Sequence, residues 1–177
     1  MTQIKLKLNS VLLIIAVLCA GIGYYIGYCS DKGQLYQVVN VIDGDTIEVK
    51  IGNKVEIVRL LEIDTPEIEN PYRKEECFGK EAKEKMEQIL QKKRVYLLPD
   101  PQAPNRDKYN RLLRYVFLSN GEFVNAKLVK EGYAFSYIYQ EFQFMKYFSD
   151  LEKEAREKRL GLWSEKCEYY KKVISDQ

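Results

Sequence analysis

Histidine is absent from this 177-residue chain, and its absence removes a large part of ordinary enzyme chemistry. A Ser-His-Asp triad, a Cys-His pair, a His-Glu-x-x-His zinc site and a histidine acid/base route to RNA cleavage are all excluded. The four cysteines, Cys19, Cys29, Cys77 and Cys167, include no Cys-x-x-Cys spacing, so zinc ribbons and thioredoxin-like pairs are excluded too. An excess of charge is also missing. The formal net charge is +2, with 28 Lys and Arg against 26 Asp and Glu. Residues 1–30 hold Lys5 and Lys7 and no acid, which leaves 26 basic and 26 acidic residues from Asp31 onward. Any polyanion must therefore be met by a localised basic site rather than by bulk charge. Carboxylates, arginines, tyrosines or a hard metal ion are left to carry chemistry.

What is present reads as globular: 46% of residues are hydrophobic and 31% charged. The length predicts one domain with an appendage. A domain of about 145 residues buries roughly two-thirds of the surface its unfolded chain exposes, and needs neither disulfide nor metal to hold together. The appendage is N-terminal. Leu8 to Ser30 is a run of 23 residues without a charge, long enough to cross a hydrocarbon core of roughly 30 Å as a helix. Lys5 and Lys7 before it predict a cytoplasmic N-terminus, with the rest of the chain outside. Tyr24, Tyr25 and Tyr28 near the far end suit an interface. An uncleaved membrane anchor is the expectation, against a cleaved signal (Cys19-Ala20-Gly21 is a tolerable small-residue site) or a buried helix. Gly23-x-x-x-Gly27 reads as chance in a Gly-rich segment rather than a helix-packing face.

After a linker over 31–35, β-rich runs at Tyr36–Ile42 and Thr46–Ile51 flank Asp43-Gly44-Asp45, a hairpin signal. Gly52-Asn53 turns the chain into Val55–Leu60, which alternates as a half-buried strand should. Phe78–Gln91 has helical period through Ala82, Met86, Ile89 and Leu90. Val95–Leu98 predicts a fourth strand, stopped by Pro99, Pro101 and Pro104, and Leu112–Leu118 a fifth. Helices are predicted over Glu122–Glu131, ending at Gly132, and through Met145, Phe148, Leu151 and Ala155, stopping near Gly161. Five short strands with a helix between the third and fourth fit an α+β fold, a five-stranded OB-type barrel with three helices.

Three clusters carry the candidate chemistry. Asp43-Gly44-Asp45-Thr46, taken alone, is a good turn. Arg59-Leu60-Leu61-Glu62-Ile63-Asp64-Thr65-Pro66-Glu67 closes an alternating strand, with Pro66 biasing Thr65 toward extended backbone. Arg106-Asp107-Lys108-Tyr109-Asn110-Arg111 follows the proline-rich loop. With Phe78-Gly79-Lys80-Glu81-Ala82, Ser136-Tyr137-Ile138-Tyr139 and Gly161-Leu162-Trp163-Ser164, these motifs run in the order and spacing of one family. Over residues 36–167 the chain closely resembles the staphylococcal nuclease (thermonuclease) family.

The resemblance implies a calcium-dependent endonuclease that hydrolyses phosphodiesters of DNA and RNA, single-stranded or frayed, and leaves 3′-phosphates. It implies Asp45, Asp64 and the Thr65 carbonyl as Ca2+ ligands, with Asp43 behind them. Glu67 would hold or deprotonate the attacking water, and Arg59 and Arg111 would grip the scissile phosphate. Lys108 and Tyr109 would contact a further phosphate, and Tyr137 and Tyr139 would flank the nucleotide. The residue types suit the reaction. A hard cation binds oxygen ligands, and guanidinium forks match phosphate oxygens. Asn110 stands where the family's type member has glycine, and Asn is the next-best residue for a left-handed backbone. Cys77 and Cys167 have no counterpart there; a disulfide between them in an oxidising compartment is expected, against two free thiols. The alternatives are an inert nucleic-acid-binding module of the same fold, disfavoured because Arg59, Asp45, Asp64, Glu67 and Arg111 are all present, and a membrane-anchored interaction protein. Residues 168–177 read as a tail, and no obligate protein partner is evident. The expected location is the cell membrane with the nuclease domain outside, or secretion if the first segment is removed.

Overall fold

The computed structural model describes residues 33–69, 71, 74–137 and 142–167. The expected anchor or signal segment over 1–30, the tail over 168–177 and Tyr139 lie outside them. Among the described residues no helix is long and apolar enough to cross a membrane.

Five strands close into a barrel: β1 (Tyr36–Val41), β2 (Thr46–Ile51), β3 (Lys54–Leu60), β5 (Arg94–Leu98) and β6 (Leu112–Leu118), in the order β1-β2-β3-β6-β5. Every pairing is antiparallel except β3 with β6, which runs parallel with Arg59 opposite Leu113. Alternation explains the interior. Ile47 and Val49 of β2, Val58 and Leu60 of β3, and Val95 and Val116 of the closing strands are all buried. Burying one such side chain contributes about 1.5–3 kcal/mol. Two short strands that periodicity could not announce, β4 (Ile63–Asp64) and β7 (Phe135–Ser136), pair beside the barrel. Two residues are too few for an alternating pattern to register.

The helices are α1 (Gly79–Leu90), α2 (Val124–Lys130) and α3 (Met145–Glu157), with a 3-10 turn at Gly161–Trp163. α1 buries Ala82, Met86, Ile89 and Leu90, the predicted face. α2 starts at Val124, two residues later than its composition suggests. Phe123 pairs back with Phe117 and stacks on its ring at 4.3 Å, which keeps residue 123 extended. α3 places Phe148 and Leu151 on the main core, while Ala155, Leu162 and Trp163 form a smaller cluster with Phe78 and Phe135.

Two buried polar nodes tie helices to barrel. Asn125 is wholly buried; its Oδ1 accepts the Val116 N–H at 2.9 Å and its Nδ2 donates to the Leu61 carbonyl at 2.9 Å. The Tyr115 hydroxyl lies 2.8 Å from Glu62 Oε2 and 2.5 Å from Asp100 Oδ2. Burial pushes the Glu62 carboxyl up to about 7 and also raises the Tyr115 phenol, to which both acids add. Replacing Asn125 by Ala strands one buried donor and one buried acceptor, each worth roughly 1–3 kcal/mol. Asn125→Ala should therefore lower unfolding free energy by about 2–4 kcal/mol, read as a lower urea midpoint with unchanged slope. A shift below about 0.5 kcal/mol would contradict this account.

Candidate active site

The site grows from the turn between β1 and β2. Asp43 Oδ1 accepts the Asp45 N–H at 3.0 Å, closing an Asx-type turn around Gly44. A Cβ on Gly44 would meet Thr65 Oγ1 at 2.8 Å and Ala82 Cβ at 2.9 Å, so glycine lets this turn press against Thr65 and α1. Asp45 is buried. Its Oδ1 accepts the Thr46 hydroxyl at 2.9 Å, and its Oδ2 accepts the Thr65 N–H at 3.0 Å and the Thr65 hydroxyl at 3.2 Å.

Arg59, paired with Thr46 across the β2–β3 ladder, links this turn to the next. Its Nε lies 3.0 Å from Asp45 Oδ1 and its Nη2 2.7 Å from Asp64 Oδ1. Its Nη1 donates to the Leu60 and Ile63 carbonyls. Asp64, on β4, keeps about half of its side chain open to solvent, with the rest packed against the site. The acids repel one another. Burial and then the Asp45 charge push Asp43 up to about 6. Asp64 is raised by burial first, which outweighs the pull of Arg59, and Asp45, Glu67 and Glu76 push the same way. Glu67 is half-buried, and its backbone is bonded to Glu76.

The second half of the site is the loop before β6. Asp107 organises it: Oδ1 accepts the Tyr109 and Arg111 N–H groups, both at 2.9 Å, and Oδ2 holds Arg111 Nε at 2.7 Å. Asn110 adopts φ 66, the left-handed backbone expected of it. Lys108 Nζ sits 4.9 Å and Arg111 Cζ 5.4 Å from the centre of the exposed Tyr109 ring.

A cleft of about 400 Å3 joins the halves; Arg59, Asp107, Lys108, Tyr109, Arg111 and Tyr137 line it. Five of these six were anticipated as phosphate or nucleotide contacts. The structure thus gathers Arg59, Arg111, Lys108, Tyr109 and Tyr137 at one opening, with Asp43, Asp45, Asp64 and Thr65 behind Arg59. Glu67 reaches this group through its charge on Asp64 rather than as part of the cleft lining. Asp107 was given no role in advance, although its spacing of four from Arg111 was a readable signal. Cys77 and Cys167 are joined, with Cα atoms 5.7 Å apart.

The donor set suits a hard cation in kind. Carboxylate oxygens dominate it, and burial first, then mutual repulsion, raises Asp43 and Asp64, a cost that a bound cation would relieve. Among the described residues, however, no three acidic side chains already form a metal-holding group. Arg59 supplies the positive charge between Asp45 and Asp64 instead.

The Asp107 carboxyl feels burial, which works upward, but the Arg111 backbone N–H, the Arg111 guanidinium and the Tyr109 N–H outweigh it and hold it below its usual value. A depressed acid stabilises the fold above its unfolded pKa, and that gain is lost as pH falls through the folded value. Carbon-detected NMR should find Asp107 titrating below the ordinary aspartate range and moving upward in Arg111→Ala. A value at or above the ordinary range in the unmodified protein would refute this picture of the loop.

Comparison with known proteins gives consistent matches. A family model described as staphylococcal nuclease homologue matches residues 57–165. An uncharacterised protein of Methanocaldococcus jannaschii is 38% identical over 149 residues, covering 72% of this chain and 70% of that protein. A thermonuclease of Staphylococcus hyicus is 34% identical over 139 residues, covering 78% of this chain and 80% of its own length. Endonuclease YncB of Bacillus subtilis is 36% identical over 125 residues, covering 70% and 58% respectively.

Proposed function

The chain belongs to the staphylococcal nuclease family, and from that membership we propose that it is a calcium-dependent endonuclease acting on DNA and RNA. The observation that carries the reading is the convergence of Arg59, on β3, and Arg111, on the loop before β6, on one cleft, with Asp45 and Asp64 at the back of the first arginine.

Hydrolysis of a phosphodiester adds negative charge to a group that is already anionic. Two guanidiniums answer that need, because each presents planar donors to the equatorial oxygens in a way an ammonium cannot. Arg111 enters this role with its Nε fixed by Asp107, so its orientation is set before substrate arrives. Asp45, Asp64 and the Thr65 carbonyl would hold calcium. When bound, calcium supplies charge neutralisation at the phosphoryl oxygen and a more acidic water. Glu67 would orient that water or take its proton. Lys108 and Tyr109 would hold a neighbouring phosphate, and Tyr137 and Tyr139 would flank the base and sugar. Unstacked bases reach such tyrosines more readily than paired ones, which favours single-stranded or frayed substrate. The family resemblance supports 3′-phosphate products. The uncharged run over 8–30 behind Lys5 and Lys7, together with the Cys77–Cys167 bridge, supports a domain anchored at the membrane and facing an oxidising exterior.

The test is hydrolysis of denatured DNA by the purified full chain, with calcium and then with excess chelator. Activity should vanish with chelator and return with calcium. Glu67→Gln and Arg111→Ala should each lose about 100- to 1,000-fold in kcat, the usual cost of one transition-state contact of roughly 2.7–4 kcal/mol. Binding of DNA without hydrolysis under both conditions would instead make this an inert binding module, and near-normal rates in either variant would remove that residue's role.

A further inference from the structure

The acid Glu67 is held by its backbone, and both bonds come from one residue. The Glu76 N–H donates to the Glu67 carbonyl at 2.9 Å, and Glu76 Oε2 accepts the Glu67 N–H at 3.0 Å. Two residues are thereby locked as a reciprocal pair across nine positions of chain. The start of α1 closes down on the same peptide. A Cβ on Gly79 would lie 2.5 Å from the Glu67 carbonyl oxygen, so only glycine permits that approach. Between Glu76 and Gly79, Cys77 is bonded to Cys167, 90 residues away beyond the 3-10 turn. Glu76 is exposed and sits ahead of the helix, its carbonyl accepting the Gly79 N–H at 3.1 Å. Its covalently tethered neighbour Cys77 pins the same short stretch of backbone a second time.

We propose that Glu76 is a positioning residue for Glu67 and that the Cys77–Cys167 bridge anchors it there, so that hydrolysis depends on the bridge being closed. For its effect on rate this rests on the nuclease reading; the contact itself does not. Opening the bridge takes two electrons and two protons from a dithiol, which attacks the exposed Cys77 sulfur and leaves as its cyclic disulfide.

Two readouts test it on the full chain. In amide hydrogen exchange without metal or substrate, the Glu67 N–H should exchange at least about tenfold faster in Glu76→Ala and in the dithiol-reduced protein, with the Val49 and Val58 amides of the barrel unchanged. Glu76→Gln keeps an acceptor oxygen and should keep the protection. In steady-state kinetics, Glu76→Ala and reduction should each lower kcat about 10- to 100-fold with KM within about twofold, because the misplaced group acts on the reaction and not on the phosphate grip. Reduction of Glu76→Ala should lower kcat no further, since both changes release one contact. The proposal is overturned if the Glu67 amide keeps its protection in Glu76→Ala, if KM takes the loss, or if reduction multiplies the effect of Glu76→Ala. Inactivity of the unmodified protein would sink the nuclease reading and this rate effect with it, and exchange would then decide the contact alone.

Discussion

The guanidinium of Arg59 is the joint on which the site depends. It contacts two carboxylates and two carbonyls, drawn from the β1–β2 turn, the end of β3 and the start of β4. Asp45 and Asp64 are brought close enough to repel, and the positive charge between them makes that tolerable. The pair with Asp45 is largely shielded from solvent, so removing one partner leaves an uncompensated charge, which typically costs about 3–5 kcal/mol. A lysine could not span the same four acceptors, because its single ammonium lacks the fork. The residue that would meet a phosphate is thus also the one that keeps the acidic turns in register.

The opposite rim is held by a different device. Glu62 accepts the Tyr137 N–H with its backbone carbonyl and the Phe144 N–H with its side chain, while Asp100 accepts the Gln143 N–H. These bonds fasten the chain just before and just after residues 138–141. The Tyr115 hydroxyl has one proton to share between two carboxyls, and Glu62 raised to about 7 is the member suited to carry a second. Glu62 itself stands at φ 59, an uncommon backbone for a residue with a Cβ, held by the strands on either side.

The strands, the helix faces and the cluster residues were legible because each depends on local pattern. Alternation marked Val55–Leu60, β-rich runs between turn signals marked Thr46–Ile51 and Leu112–Leu118, helical spacing marked Met86 and Ile89, and the order of short motifs marked Asp45, Arg59 and Arg111. What was not legible depends on partners distant in the chain. β4 and β7 exist because Ile63 meets Ser136. The late start of α2 depends on Phe117 reaching Phe123. Within the charged string from Arg106 to Arg111 only the folded contacts tell the cations apart: Asp107 holds Arg111 and Glu56 holds Arg106, while Lys108 is exposed. In the sequence Glu62 is only one member of the run from Arg59 to Glu67; its burial beside Tyr115 depends on β6, far along the chain.

The parallel pairing of β3 with β6 has a consequence for how the protein is made. Hairpins β1–β2–β3 can form as the chain emerges, since each joins neighbours. The β3–β6 ladder joins Val58 to Leu112 and Leu60 to Arg114, and loop-closure entropy must be met before those contacts stabilise anything. Arg59 and Arg111 therefore face a common cleft only after β6 has been made and has closed on β3. A chain made only through β3 carries the acidic turn and the first arginine but not the second, so the cleft is a late product of folding that the early hairpins cannot form by themselves.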